Sequence, residues 1–156
     1  MAHSRGKQWE ERVKSDLLTL PDISLERVAD QVTGFKTTSQ NPCDFYVYIY
    51  PHFYYIECKS TNSNTFSVDF PQYERLLVRA GRKGVRAGII LWWVQHQKVA
   101  YVPVKTIEKL IQDGKRSVNI KMLGKDEYRI IEIPSVTPRV YPKCDYSVLT
   151  TLKEGD

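Results

Sequence analysis

Two strand-forming runs, separated by the dipeptide Pro51-His52, constrain the fold of this chain more than any other feature. Residues 44–50 read DFYVYIY and residues 53–60 read FYYIECKS. Aromatic and β-branched residues favour strands, and proline favours turns. The segment therefore predicts a β-hairpin with a two-residue turn at Pro51-His52.

The polar side chains of this predicted hairpin share one face. With that turn, Asp44 lies opposite Lys59, and Tyr46 lies opposite Glu57. Side chains alternate along a strand, so Asp44, Glu57 and Lys59 project together, whereas Cys58 projects from the other face. The hairpin thus brings two carboxylates and an ammonium group together.

Two interpretations fit this polar face. Neighbouring carboxylates repel each other unless a cation lies between them. A hard divalent ion such as Mg²⁺ binds one or two carboxylates and keeps waters that can attack a phosphate, and Lys59 would stabilise the charge there. The alternative is that Asp44 and Lys59 form a cross-strand ion pair on a solvated face, worth less than ~1 kcal/mol.

A helix predicted over Lys7–Leu20 adds a third acid. Apolar residues including Trp9 and Val13 form one stripe of this helix. Glu10 borders the stripe and Glu11 points away from it. Glu10 either completes a metal site or is a first-turn acid that the helix dipole favours.

The rest of the chain predicts alternating strands and helices. The expected elements are a short strand near Leu25–Val28, a helix from Phe70-Pro71 to Ala80 capped by Asp69, a buried strand over 87–94, a strand through Ala100–Val102 and a helix over Val104–Gln112. This order predicts a mixed α/β fold, with a central mixed sheet flanked by helices. We expect a single domain over 1–156, with a core over about 6–115 and a basic, partly regular C-terminal segment over about 116–156.

Composition excludes several other classes of protein. The chain has no apolar run that reaches the ~20 residues of a membrane span, and its first residues lack a signal peptide's apolar centre. Its 3 cysteines are far apart, without CxxC spacing, which argues against a disulfide scaffold or a structural zinc site. We therefore expect a cytoplasmic protein without a membrane partner or a small-molecule cofactor.

The modest positive charge fits nucleic acid or another polyanion as a partner, but many proteins without such a partner carry as much. The chain has 23 Lys and Arg residues against 18 Asp and Glu residues, a formal net charge of +5. The densest basic cluster lies around two glycines and consists of Arg79, Arg82, Lys83 and Arg86. These residues either contact DNA phosphates or form a solvated loop.

Several short motifs resemble those of a known enzyme family. Pro42-Cys43-Asp44, twelve residues and then Glu57-Cys58-Lys59 resemble the PD-(D/E)xK nuclease signature. Gly6 followed by Glu10, a helix that bears Gln72, and Pro142–Tyr146 near the end resemble landmarks of RecU-type Holliday-junction resolvases, bacteriophage forms included.

The resemblance implies a restriction-endonuclease-like core and a homodimer that hydrolyses branched DNA with Mg²⁺, for which Mn²⁺ substitutes. It implies a role in recombination or repair, in the cytoplasm of a bacterial cell or as a phage-encoded enzyme. The implied site residues are the metal ligands Asp44 and Glu57, an additional ligand Glu10, the catalytic Lys59, Gln72 at the water or phosphate, and the Cys58 backbone carbonyl at the metal.

The chain departs from that family before the acidic strand. RecU-type enzymes carry a projecting stalk there, whereas residues 31–43 here form a short segment with Lys36 as its only charged residue. We expect Lys36 to contact DNA. Two alternative interpretations remain. The first is a nuclease with the same chemistry that acts on another DNA substrate in restriction, repair or end processing. The second is a non-catalytic DNA-binding module.

Overall fold

A six-stranded mixed sheet forms the centre of the structure, a computed structural model that describes residues 4–29 and 41–153. The strands are β1 (Ser24–Arg27), β2 (Phe45–Ile49), β3 (His52–Thr61), β4 (Thr65–Ser67), β5 (Val85–Trp93), β6 (Lys98–Pro103), β7 (Ser117–Asn119), β8 (Ile131–Ile133), β9 (Ser135–Val136) and β10 (Lys143–Cys144). The central sheet has the order β1-β2-β3-β5-β6-β8, and β3 and β5 are its parallel pair. A mixed central sheet is therefore confirmed.

Three helices flank this sheet: α1 (Arg5–Leu17), α2 (Phe70–Ala80) and α3 (Val104–Gln112). The bounds predicted for α2 and α3 are confirmed, and the Asp69 side chain accepts a hydrogen bond from the Gln72 N–H at the start of α2. The bounds predicted for α1 are wrong. Ser4 caps this helix earlier than expected, and a turn after Leu17 carries Leu20 into the core instead of another helical turn.

Alternating side chains of the sheet form two separate cores. Trp92 packs with Trp9 of α1 on one face, whereas Trp93 packs with the α2 and α3 residues on the other face. Tyr54, Ile56 and their neighbours continue the α1 core. The prediction that the adjacent tryptophans face opposite ways is confirmed, and both are buried.

The predicted register of the β2–β3 hairpin is wrong. Ile49 pairs with His52, so the turn is Tyr50-Pro51 and not Pro51-His52. The Tyr50–Pro51 peptide bond is cis, which suits proline at the third position of a four-residue turn. The register shifts by two residues, and a shift of two preserves the face of every side chain.

The C-terminal segment packs against the α1 face of the sheet. β8 pairs with β6, and Tyr146 and Leu149 enter the core that α1 covers. The buried Asp16 carboxylate of α1 accepts a hydrogen bond from the Cys144 N–H at 2.9 Å. No helix in the described ranges 4–29 and 41–153 is long and apolar enough to cross a bilayer.

Candidate active site

Main-chain hydrogen bonds on both sides hold Asp44 at the start of β2. Its N–H donates to the Ile56 carbonyl at 3.0 Å, and its carbonyl accepts from the Val28 N–H at 2.9 Å. The Asp44 carboxylate accepts a further bond from the Cys58 N–H at 2.8 Å. The two neighbouring strands therefore fix both the backbone and the side chain of this acid.

Glu57 and Lys59 lie on β3, between β2 and β5. Phe45, Ile56 and Cys58 are buried in the α1 core, so strand alternation directs Asp44, Glu57 and Lys59 to the α2 face, as predicted. The corrected register brings Asp44 level with Glu57 and not with Lys59. Lys59 Nζ lies 3.4 Å from Glu57 Oε1.

Asp44 and Glu57 line a common cavity of about 190 Å³. Its lining residues come from α1, β1, the segment before β2, β3 and α2: Lys7, Glu10, Arg27, Val28, Asn41, Cys43, Asp44, Glu57 and Gln72. The structure thus brings together Glu10, Asp44, Glu57 and Gln72, as the sequence predicts. Lys59 adjoins the cavity through its ion pair with Glu57.

Burial and mutual repulsion disfavour two charged carboxylates here. Burial, followed by the charge of Asp44, raises the pKa of Glu57 from its ordinary 4.5 to about 7. Burial also raises the pKa of Asp44, against the opposing effects of the Cys58 N–H and Lys59. Neighbouring carboxylates of this kind favour a proton or an added cation between them.

Gln72 positions Glu57 from the first turn of α2. Its side chain is buried and hydrogen-bonds Glu57, which favours the charged carboxylate. The Asp69 cap fixes the start of the helix, because its carboxylate accepts from the Gln72 N–H at 3.4 Å. An amide at this position can hold a carboxylate and a water without adding charge.

Glu10 has a partner that the sequence does not reveal. Its Oε2 accepts a hydrogen bond from Arg27 Nη2 at 2.9 Å, with both side chains on the cavity side of α1 and β1. The weak strand signal around β1 gives no indication that Arg27 reaches α1. The positive charge of Arg27 offsets the negative charge of Glu10. Asp44 and Glu57 are then the two acids whose charges repel each other.

Cys43 lies in the same cavity but stays a thiol. Burial, and then the charges of Glu57 and Asp44, raise its pKa to about 12. Its Sγ–H donates to the Phe45 carbonyl at 3.2 Å. The donors available to a cation at this site are therefore oxygens.

The chemistry of these donors fits a hard divalent ion. Mg²⁺ is commonly bound by one or two carboxylates, with waters or substrate phosphates as its other ligands. Asp44 and Glu57 supply such a pair, next to the Cys58 main chain. Among residues 4–29 and 41–153, no three His, Cys, Asp or Glu side chains converge as a ready-made metal cage.

The basic residues singled out in the sequence occupy different environments. Arg79 donates to the Arg75 carbonyl at 2.6 Å and lies over the Tyr55 ring. Arg82 and Lys83 are exposed after α2, whereas Arg86 is buried and donates to the Lys153 carbonyl at 2.8 Å. Arg86 is therefore not part of a solvated loop. Lys36, which is expected from the sequence to contact DNA, lies outside the described residues.

Comparison with known proteins shows the fold of this chain. No protein-family profile matches the sequence, and no curated protein matches it. The structure is similar to that of Hjc, a Holliday junction resolvase from the archaeal hyperthermophile Archaeoglobus fulgidus, with a TM-score of 0.57 and 19% identity. The match covers 74% of this chain and 89% of that chain.

The chain has an Hjc-like fold. A central mixed sheet flanked by helices, of the restriction-endonuclease-like type, is what the sequence predicts, and this fold class is confirmed. The comparison covers most of the neighbour's length, so the likeness is not confined to one motif.

Proposed function

We propose that this protein is a Mg²⁺-dependent endonuclease that cuts branched DNA, most specifically a Holliday-junction resolvase. The observation that carries the proposal is the half-buried Asp44 next to the buried Glu57, with Lys59 beside them, on an Hjc-like fold. Mn²⁺ is expected to substitute for Mg²⁺. The proposed setting is recombination or repair in a bacterial cell, or DNA processing by a bacteriophage.

Asp44 and Glu57 would hold the ion, with the Cys58 carbonyl as a further oxygen donor and Glu10 as an additional or outer ligand. The ion supplies an activated water and neutralises charge on the phosphate. Lys59, 3.4 Å from Glu57, would donate to the phosphate oxygens as negative charge develops on them. Gln72 would orient Glu57 and the attacking water from α2.

The roles of Asp44 and Lys59 can be tested by measuring DNA binding and cleavage separately. Asp44→Asn keeps the side-chain volume but replaces an anionic metal ligand with a neutral and weaker one, so cleavage should fall below detection while junction binding persists. Lys59→Ala should slow single-turnover cleavage by about 10²–10³-fold. Lys98→Ala, which removes an exposed lysine on β6, is the matched control and should cut at the wild-type rate. Wild-type cleavage by either site variant would overturn the assignment.

A dimer follows from the proposed reaction. Resolution of a four-way junction requires two nicks in opposed strands, and each chain offers one Asp44–Glu57 pair. A two-fold dimer would place two such pairs symmetrically on a two-fold substrate. Light scattering on the purified protein should give twice the 18.2 kDa chain mass.

DNA other than a four-way junction is the second candidate substrate. The segment 31–43 is short and carries one charged residue, Lys36, where RecU-type enzymes carry a stalk. The same site chemistry would then serve restriction, repair or end processing. A protein of this type would cut linear duplex or flaps at least as fast as junctions.

A further inference from the structure

A second cavity, of about 150 Å³, lies at the end of the sheet where β3 and β5 begin. Its walls come from the start of β3, the loop between α2 and β5, the start of β5, and the β6–α3 connection. A dry cavity of similar size holds benzene in another protein, so the space suits a compact group such as a phosphate. This cavity shares no residue with the one that contains Asp44 and Glu57.

The lining of this second cavity carries positive charge and no carboxylate within the described part of the chain. Five of its side chains are basic: His52, Arg82, Lys83, Arg86 and Lys105. Arginine and lysine side chains at close quarters repel each other, and an anion among them removes that repulsion. The charge distribution selects a phosphate-like ligand over a cation or an apolar molecule.

Arg86 gives the cavity a fixed, buried cation. Its residue is only 9% exposed, and Nη2 donates to the Lys153 carbonyl at 2.8 Å. A guanidinium group has five N–H donors arranged as a planar fork, which matches the oxygens of a phosphate. Arg82 and Lys83 line the same cavity and are exposed, so their side chains add mobile positive charge to the fixed Arg86.

The start of α3 adds to the positive electrostatic potential of this cavity. The helix begins after Pro103 with no side-chain hydrogen bond at its cap, and Pro103, Val104 and Lys105 all line the cavity. The N-terminal end of a helix carries a partial positive charge. This contribution supplements the side-chain cluster.

The two cavities lie at different points along β3. His52 and Glu57 are five residues apart on this strand, a separation of about 16 Å at ~3.3 Å per residue. An odd separation directs the two side chains to opposite faces of the sheet. A ligand of the second cavity is therefore distinct from any group held at Asp44 and Glu57.

We propose that the cavity lined by His52, Arg82, Lys83, Arg86 and Lys105 is a phosphate-binding site that holds a backbone phosphate of DNA. That the phosphate belongs to DNA rests on the proposed nuclease function, but the phosphate site itself does not. Its occupant is part of the DNA, and inorganic phosphate serves as the smallest probe.

The first arm of the test uses inorganic phosphate and the full chain without divalent metal. Phosphate should shift the backbone amide resonances of Gly84 and Val85 and the ring resonances of His52 in a saturable way. Arg82→Gln/Lys83→Gln should weaken this response several-fold. Lys121→Gln/Lys125→Gln removes the same charge from exposed positions elsewhere and should leave the response unchanged.

The second arm measures DNA affinity as a function of salt, again without divalent metal, so that no strand is cut. The Arg82→Gln/Lys83→Gln variant should bind a duplex or junction roughly tenfold more weakly and lower the salt-dependence slope by about one to two. The Lys121→Gln/Lys125→Gln control should bind like the wild type. Equal losses in both variants would overturn the proposal, as would a phosphate response without any change in DNA affinity.

These readouts separate this proposal from the proposed function. A protein that binds phosphate and DNA through this cavity but never cuts DNA contradicts only the nuclease assignment. A protein that cuts junctions in Mg²⁺ but whose DNA affinity is unchanged by Arg82→Gln/Lys83→Gln contradicts only the phosphate site.

Discussion

Glu57 carries a large electrostatic cost in the candidate active site. It is buried, it lies beside Asp44, and its pKa rises to about 7, while Lys59 and Gln72 offset only part of the penalty. A carboxylate in such an environment favours either a proton or a metal ion. The residue that destabilises the metal-free protein is therefore also the one that would bind the cation.

Glu57→Gln should stabilise the metal-free protein in a pH-dependent way. The folded-state pKa of Glu57 lies above its ordinary value, so its favourable contribution is complete below about pH 4.5 and is lost as the pH rises to about 7. The free energy of unfolding of the variant should therefore exceed that of the wild type by on the order of 2 kcal/mol at pH 8. The two should converge near pH 4.5 in urea titrations.

The matched control for Glu57→Gln is Glu74→Gln, an exposed acid on α2. It should show no comparable pH-dependent gain. Adding Mg²⁺ at pH 8 should raise the stability of the wild type more than that of Glu57→Gln. A stability difference that is the same at pH 4.5 and pH 8 would contradict the raised pKa.

At the residue scale, periodicity predicts much of the candidate active site and misses its long-range contacts. Alternation along β3 places Glu57 and Lys59 on one face whatever the turn, and Asp44 shares that face as long as the hairpin register shifts by an even number. The Glu10–Arg27 ion pair joins a helix to an edge strand, and no local pattern encodes that contact. Catalytic roles for these residues stay predictions.

The β5–β6 pair of strands leaves no room for a side chain at Gly88. A Cβ atom there would lie 2.6 Å from both Tyr101 Cε2 and the Val102 carbonyl oxygen. The carbonyl belongs to the sheet backbone, so it cannot swing away as a flexible side chain would. This glycine allows the Tyr101 ring to approach the β5 backbone closely.

Gly88→Ala should destabilise the protein by about 1–3 kcal/mol through overpacking. Gly6→Ala is the matched control, because a Cβ there meets only Ser4 Oγ at 4.0 Å and alanine favours a helix. The control should have the same or slightly higher stability in urea denaturation. A Gly88→Ala variant as stable as Gly6→Ala would contradict the close packing of β5 on β6.

The α1 helix and the C-terminal segment are joined through Asp16. Its buried carboxylate accepts from the Cys144 N–H at 2.9 Å. Asp16→Ala leaves that donor without its partner and should cost about 1–3 kcal/mol of unfolding free energy. Glu11→Ala, at an exposed position of the same helix, should change stability by less than about 0.5 kcal/mol. Equal effects of the two substitutions would contradict this anchoring role.

At the element scale, the predictions succeed where local signals are strong. Asp69, Pro71 and Gly81 bracket α2, and both of its ends are found where these residues predict. The hairpin turn is misplaced because two turns containing Pro51 fit the same alternating pattern. The pairing of β8 with β6 depends on contacts between distant parts of the chain, which the local pattern does not contain.

Across the whole molecule, the placement of charge matters more than the net +5. Acids are concentrated in the cavity of Asp44 and Glu57, and basic side chains surround the second cavity at the far end of β3. Under the proposed function, basic side chains would hold a DNA backbone phosphate at the second cavity, and the acids of the first cavity would hold the metal at the cleaved bond.

The most direct measurement of the central claim is strand cleavage of a synthetic four-way junction by the purified protein in Mg²⁺, beside a linear duplex of the same sequence. We expect paired nicks at symmetric positions in opposed junction strands, little cutting of the duplex, and no cutting in EDTA. No cleavage of any DNA in either Mg²⁺ or Mn²⁺, or cleavage that persists in EDTA, would contradict the account.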